Sequence, residues 1–429
     1  MSYIPRIADN ELRYRLESFG AVLIEGPKWC GKTTTATQEA KSILYMEDPD
    51  TREEALATAS VKPSLLLIGE NPRLIDEWQV APVIWDAVRA SVDKRNEDGL
   101  YILTGSNSVK KENIFHSGTG RISRMRMTTM TLKESGESTG EISLHKMFSD
   151  DKPDIDGIKS RLTIEELVFA ACRGGWPGSL RKKTDRAKLA VASDYIRSLC
   201  EMDISTIDGV DRNPTWTRAI LSSYARNVST LAKNNNIFQD VYQNLNSMSQ
   251  GTFDSYKNAL ERLFVIKDLD AWCPSVRSKS AIRAGKKHEF TDPSIAIAAL
   301  GVKPEYFYRD MKTFGFIFEC LCARDLQVYS YALGGRLSHY RDRYGLESDF
   351  VLHLDDGRYA LIECKLGSAE IDEGAKHLVE LHNLIKRQNE TETQVPLREP
   401  ELKIVLTGGE IAYRRSDDVY VIPIGCLGD

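Results

Sequence analysis

Two groups of residues in this 429-residue chain have types and spacings suited to phosphate chemistry. The first is "GPKWCGKTT": Gly26, Pro27, Lys28, Trp29, Cys30, Gly31, Lys32, Thr33 and Thr34. It follows the apolar run "AVLIE" and precedes a Thr/Ala-rich segment able to form a helix. In that context GxxxxGK[ST] forms a polyphosphate cradle. Its glycines let successive N–H groups turn inward, and the helix presents its positive end. Lys32 is set to reach the β and γ phosphates of ATP, and Thr33 to bind Mg²⁺. Trp29 and Cys30 fill positions the pattern leaves variable, and Cys30 is a candidate point of oxidant sensitivity.

Downstream, "RLIDEWQ" ends a short apolar run in two acids. Asp76 suits a second metal contact, and Glu77 can polarise a water for attack on the γ phosphate. "LYILTGSNS" ends another run in Ser106, with Thr104 and Asn107 as alternatives for a hydrogen bond to that phosphate or water. Arg121 follows the glycine-rich "SGTG" and is a candidate for stabilising transition-state charge, in its own subunit or a neighbour's.

The second group lies in "ESDFVLHLDDGRYALIECKLG", Glu347 to Gly367. A two-residue turn at Asp356-Gly357 would pair Asp349 with Cys364. A three-residue turn, Asp355-Asp356-Gly357, pairs Asp349 with Glu363. Only the second gathers Phe350, Leu352, Leu354, Ala360, Ile362 and Cys364 on one apolar face, so it is expected. Opposed carboxylates cost up to roughly 1 kcal/mol in a solvated sheet and more when buried. A divalent cation, or an ammonium such as Lys365 on the same face, relieves that repulsion. D…ExK is the spacing of metal-dependent nucleases, in which Asp349 and Glu363 would hold the ion and Lys365 orient or activate water. Glu319, on the helical "GFIFECLC", adds a further acid. The plain alternative is a salt-bridge cluster.

The elements that must position these residues follow from patterning. Residues 20–130 alternate apolar runs with helical segments, the rhythm of a parallel sheet flanked by helices. Polar stretches around 133–160 suggest a boundary, and a helical region follows, broken at "RGGWPG", where Trp176 reads as a packing anchor. Short amphipathic helices fill 215–300, and the segment around Phe253, Tyr256, Leu260 and Leu263 resembles part of a winged helix. Its outer residues Asp254, Lys257, Asn258, Glu261 and Arg262 carry no net charge, a poor match to phosphates. The following loop, with Arg277, Lys279, Arg283, Lys286 and Lys287, suits a DNA backbone better.

Composition narrows the classes. A formal charge of −5 excludes a dedicated polybasic binder but not a local basic groove. Eight cysteines without a CxxC pair read as reduced thiols of a cytoplasmic protein. The seven histidines lack zinc-ligand spacing. No apolar stretch approaches the ~18 residues of a membrane span.

Taken with "GTGR", "CEMDI", "FTDPSIAIAALG" and "GFIFECL", these motifs make nearly the whole chain resemble a prokaryotic family of AAA-type P-loop ATPases. That family carries a C-terminal restriction-endonuclease-like domain of unknown function. The resemblance implies an α/β fold with a RecA-like P-loop parallel sheet core at 1–150 and a helical linker or lid at 151–212. A winged-helix-like domain at 213–303 and a PD-(D/E)xK nuclease-like α/β domain at 304–429 would follow. It implies ATP and Mg²⁺ as cofactors, with a second divalent ion at the C-terminal site. Three functions are expected to compete. One is a DNA-associated ATPase without sequence specificity, whose nucleotide state controls the nuclease-like domain. The others are an ATP-licensed DNA nuclease and an ATP-driven protein-docking switch with an inactive nuclease fold. A homo-oligomer or a protein partner is compatible with each.

Overall fold

The computed structural model describes residues 3–106, 116–245, 247–273, 285–391 and 396–429. Its contacts divide the chain into two compact units. The first comprises residues 1–129 with 204–210 and 258–264, and the second comprises 130–203, 211–257 and 265–429.

In the first unit, helix α1 (Ile7–Ser18) precedes strand β1 (Ala21–Glu25), helix α2 (Lys32–Glu39) and strand β2 (Ser42–Tyr45). Strand β3 (Arg73–Asp76), helix α3 (Val83–Arg95), strand β4 (Tyr101–Gly105) and strand β5 (Ile122–Arg126) follow. The strands form one parallel sheet in the order β2-β3-β4-β1-β5. β1 and β4 are buried along their whole length, which is why each reads as an unbroken apolar run. α3 buries Ile84, Trp85, Val88 and Val92 at helical spacing and ends at Asn96, whose left-handed backbone closes the last turn. Trp85 packs 5.1 Å from Trp78 in the core over this sheet face.

The second unit begins at Met130, earlier than the polar stretch around 133–160 suggests. The reason is a buried polar knot. Asp325 accepts the Leu132 amide at 3.0 Å, and the Arg324 guanidinium lies 2.7 Å from Asp325 and 3.4 Å from Asp292. Asp292 in turn accepts the Gly175 amide at 2.9 Å. Trp176 is fully buried, donates to Ser294 Oγ at 2.9 Å and stacks on Tyr195, so it does anchor the helix break.

Further along the chain, helix α4 (Pro214–Arg226), helix α5 (Asn234–Leu245) and helix α6 (Gln250–Arg262), whose residues 258–262 belong to the first unit, precede two antiparallel bridges of the second, Ile266 with Phe290 and Leu269 with Lys287. That ribbon continues onto the edge of a larger sheet, since Ala271 bridges to His339 and the Trp272 amide donates to His339 O at 2.6 Å. Helix α7 (Met311–Ala332), strands β6 (Gly335–Arg341), β7 (Glu347–Leu354) and β8 (Tyr359–Lys365), helix α8 (Ile371–Thr391) and strands β9 (Leu402–Thr407), β10 (Tyr413–Arg414) and β11 (Tyr420–Pro423) complete it. The sheet order is β10-β11-β9-β8-β7-β6, antiparallel across β6-β7-β8 and parallel across β8-β9-β11.

The β7–β8 hairpin has the three-residue turn. Phe350 faces Ile362, Leu352 faces Ala360, and the Leu354 amide donates to Arg358 O at 2.8 Å. The same ladder sets Asp349 across from Glu363. Both faces of the sheet are covered, however. α8 packs Ala375, Leu378 and Leu381 on Val351, Leu361 and Val405, while Phe350, Leu352 and Ile362 are buried on the α7 side. The carboxylates therefore sit at the end of a doubly covered sheet, not on a half-solvated one. Gly357 takes the left-handed position of the turn at φ +87°. Gly357→Ala should lower stability by about 1–2 kcal/mol in urea unfolding, with the secondary-structure spectrum unchanged.

Candidate functional sites

The phosphate loop leaves the carboxyl end of β1 and closes at Gly31, whose φ of +104° starts α2. Gly26 has no room for a side chain, since a Cβ there would lie 2.0 Å from Met127 O. Lys32 is buried and donates to the Gly26 and Pro27 carbonyls at 2.9 Å each, holding its ammonium inside the loop. Thr33 Oγ1 donates to Asp76 Oδ1 at 2.7 Å, so the two expected Mg²⁺ contacts are already in touch. Thr104 Oγ1 donates to the same carboxylate oxygen at 2.5 Å and accepts the Glu77 amide at 3.2 Å. Ser106 Oγ donates to Glu77 Oε2 at 2.9 Å, and the Gln79 amide also donates to it. Of the three polar residues offered by "LTGSNS", Thr104 thus positions Asp76 and Ser106 positions Glu77, while Asn107 lies outside the described residues. Trp29 is exposed and Cys30 buried, so the thiol is shielded from oxidant. Thr34 is exposed and Lys28 half-buried.

Two features here were not legible in the motif. Arg6, just before α1, donates to Cys30 O at 2.8 Å and to Thr128 O at 2.9 Å. A peptide's C=O and N–H point in opposite directions. Fixing the Cys30 carbonyl on Arg6 therefore directs the Gly31 N–H the other way, into the cradle. Asp9, which accepts the Arg6 amide at 2.8 Å and the Tyr3 hydroxyl at 2.5 Å, holds this segment in place.

Arg121 must be corrected for its own subunit. Its carbonyl accepts the Ala21 amide, so it sits at the amino end of β1 and β5, whereas the loop leaves the opposite end. Five residues of strand, roughly 15 Å, separate the two. Its guanidinium is engaged by Asp93 at 2.6 Å.

In the second unit, Lys287 was expected on a basic surface loop and is instead buried. Its ammonium contacts Glu319 and lies 3.1 Å from Asp349 Oδ1. Asp349 Oδ2 accepts the Cys364 amide at 2.9 Å. Lys365 pairs with Glu363 at 3.2 Å, and His377 Nδ1 lies 3.7 Å from the same carboxylate. The ammonium between Asp349 and Glu319 thus comes from Lys287, while Lys365 serves Glu363. Burial alone would push Lys287 down, but the Asp349, Glu319 and Glu289 carboxylates hold it well above the ordinary lysine value. Burial and the Asp349 charge push Glu319 and Glu363 up. Burial also opposes ionisation of Asp349, yet Lys287 and the Cys364 N–H hold it below the usual carboxylate range. A cleft of about 1140 Å³ opens beside Glu319 and Lys365 at the carboxyl ends of β8 and β9, and a smaller one of about 210 Å³ lies beside Lys287 and Asp349.

The expected outer face of α6 also changes. Lys257 is buried and pairs with Asp268 at 3.1 Å, and Arg262 faces Asp208 at 3.8 Å. Asp254, Asn258 and Glu261 remain exposed on that helix. Arg277, Lys279 and Arg283 lie outside the described residues. Lys286 is exposed and 3.1 Å from Asp270.

Residues 18–136 match the family model described as an AAA domain. Two further models, each described as a domain of unknown function, match residues 164–306 and 314–427. The sheet and the loop give the first unit the fold of a P-loop domain, and the AAA match agrees with it. Uncharacterized proteins of Mycobacterium bovis and Mycobacterium tuberculosis are each 23% identical over 303 residues, covering 69% of this chain. The matched region spans 60% of the length of each of these relatives. The chain is also similar to a Walker-type ATPase of Pyrococcus abyssi, at 12% identity and a TM-score of 0.42 over 69% of this chain and 96% of that one. Among the described residues no helix is long and apolar enough to cross a membrane.

Arg6→Ala should weaken ATP and ADP binding about equally, roughly tenfold, with Arg6→Lys intermediate, read by fluorescent-nucleotide titration. Burial pushes the Glu289 carboxyl from 4.5 up to about 7. The folded state then binds more protons than the unfolded one between those values. Glu289 therefore stabilises least above about pH 7, and the penalty disappears as pH falls towards 4.5. Relative to wild type, Glu289→Gln should gain stability as pH rises from about 5 to 7, by at most about 3 kcal/mol in urea unfolding.

Proposed function

We propose that this chain is a Mg²⁺-dependent ATPase. The observation that carries the reading is the Thr33–Asp76 hydrogen bond of 2.7 Å, flanked by buried Lys32 and by Glu77 held on Ser106. The residues fit the nucleotide: a glycine-closed cradle, an ammonium held by two loop carbonyls, and a hydroxyl–carboxylate pair suited to a small hard cation. Gly26 to Thr34 would wrap the phosphates. Lys32 would exchange its loop carbonyls for phosphate oxygens, and Thr33 with Asp76 would hold the metal. Mg²⁺ supplies neutralisation of charge on the β and γ phosphates. Glu77 would orient the attacking water and accept its proton, with Ser106 and Gln79 fixing the carboxylate. Arg121 acts, in this reading, only across a subunit boundary.

For the second unit, the succession helix, three antiparallel strands, helix, parallel strand (α7 to β9) supports a nuclease-like fold. The Lys287 ammonium between Asp349 and Glu319 weighs against metal-dependent cutting of nucleic acid there. The loss of Lys257 and Lys287 from the surface also removes support for DNA contact. A DNA interface would depend on Arg277, Lys279 and Arg283, and a winged-helix role on the ribbon after α6.

Glu77→Gln should lower the ATPase kcat at least about a hundredfold while ATP affinity stays within about threefold, and Lys32→Ala should weaken binding itself. Phosphate release and equilibrium nucleotide titration read the two effects separately. Hydrolysis at wild-type rate in Glu77→Gln would overturn the assignment.

A further inference from the structure

The D…ExK spacing implies a divalent ion at Asp349, Glu363 and Glu319, and the residues present do not fit one. Among the described residues no group of three or more His, Cys, Asp and Glu side chains is arranged to hold a metal ion. The space between Asp349 and Glu319 contains a side chain. Lys287 Nζ contacts Glu319, lies 3.1 Å from Asp349 Oδ1 and donates to Asp349 O at 3.3 Å.

We propose that the Lys287 ammonium is the resident cation of this site, so that the second unit is indifferent to Mg²⁺ and Mn²⁺. The inference is independent of the ATPase reading.

Three observations support it. Lys287 is built in rather than adventitious: its amide donates to Leu269 O at 3.0 Å, the Leu269 amide returns a bond at 2.8 Å, and the ammonium lies 5.0 Å from the Phe350 ring. A divalent ion bound to Asp349 and Glu319 would stand within about 2–2.5 Å of their oxygens, the volume the ammonium fills. Two such cations side by side in a buried site would repel strongly. Glu363 completes the argument, because one of its oxygens already faces Lys365 and its other oxygen, Oε1, accepts no hydrogen bond among the described residues. Two acids, Asp349 and Glu319, thus share one cation, and a lysine supplies it. Removing that lysine should uncover a site.

The full-length chain, free of nucleotide, is titrated with Mn²⁺ by electron paramagnetic resonance as wild type, Asp349→Asn, Lys287→Met and Lys287→Met/Asp349→Asn. Wild type and Asp349→Asn should bind Mn²⁺ identically, since any weak binding near Thr33 and Asp76 is common to both. Lys287→Met should gain one site at least tenfold tighter than any in wild type, lost again in the double variant. Its melting temperature should rise with Mn²⁺ while that of wild type does not. A wild-type site abolished by Asp349→Asn would overturn the proposal, as would a folded Lys287→Met that binds no additional ion. If Lys287→Met does not fold, wild type against Asp349→Asn decides alone: identical binding supports the proposal, and a lost site overturns it.

Discussion

The first unit depends on one carboxylate. In a sheet ordered β2-β3-β4-β1-β5, the strand that launches the phosphate loop is not adjacent to the strand that ends in Asp76. β4 lies between them, so loop and acid can act together only if something spans that strand. Thr33 reaches across from the start of α2, and Thr104, at the end of β4, supplies the second hydroxyl to the same Asp76 oxygen. An acid held by two donors has little freedom to rotate, which is the condition for presenting it to a metal in fixed geometry. Glu77, one residue later, inherits this order. Its amide bonds Thr104 and its left-handed backbone turns the side chain towards Ser106 and Gln79.

The loop itself is shaped from outside. Backbone N–H groups cradle an anion only if their peptide planes face inward, and glycine permits that orientation without enforcing it. Arg6 enforces it at one plane by taking the Cys30 carbonyl outward. Because Asp9 and Tyr3 hold Arg6's neighbourhood, the segment around the start of the first helix becomes part of the framework of this loop.

The second unit meets the opposite problem, too much buried negative charge. Glu289, Glu319, Asp349 and Glu363 lie close together with little access to water, and low dielectric makes each uncompensated carboxylate expensive. Two lysines from different elements, Lys287 and Lys365, provide the compensation. The same logic of burying a guanidinium between carboxylates recurs at Arg324, which joins Asp292 and Asp325 and ties residues 130–175 to this unit.

Local patterning determined a good deal. Unbroken apolar runs marked β1 and β4, the glycine spacing marked the phosphate loop, and alternation along 347–365 was enough to choose the hairpin register, because a one-residue slip would have buried Glu363 among the apolar residues. These features depend on neighbours in sequence, where period and spacing carry the information. Tertiary structure alone decided the rest. Arg121 follows a glycine-rich turn much as a catalytic arginine would, but parallel strand direction puts it at the wrong end of the sheet. Lys287 sits in a run of basic residues that reads as surface, yet its strand is sewn onto the sheet edge and its ammonium meets an acid 62 positions away. Arg6 carries no motif at all. In each case the partner is distant along the chain, and charge has no periodicity from which such a pairing can be read.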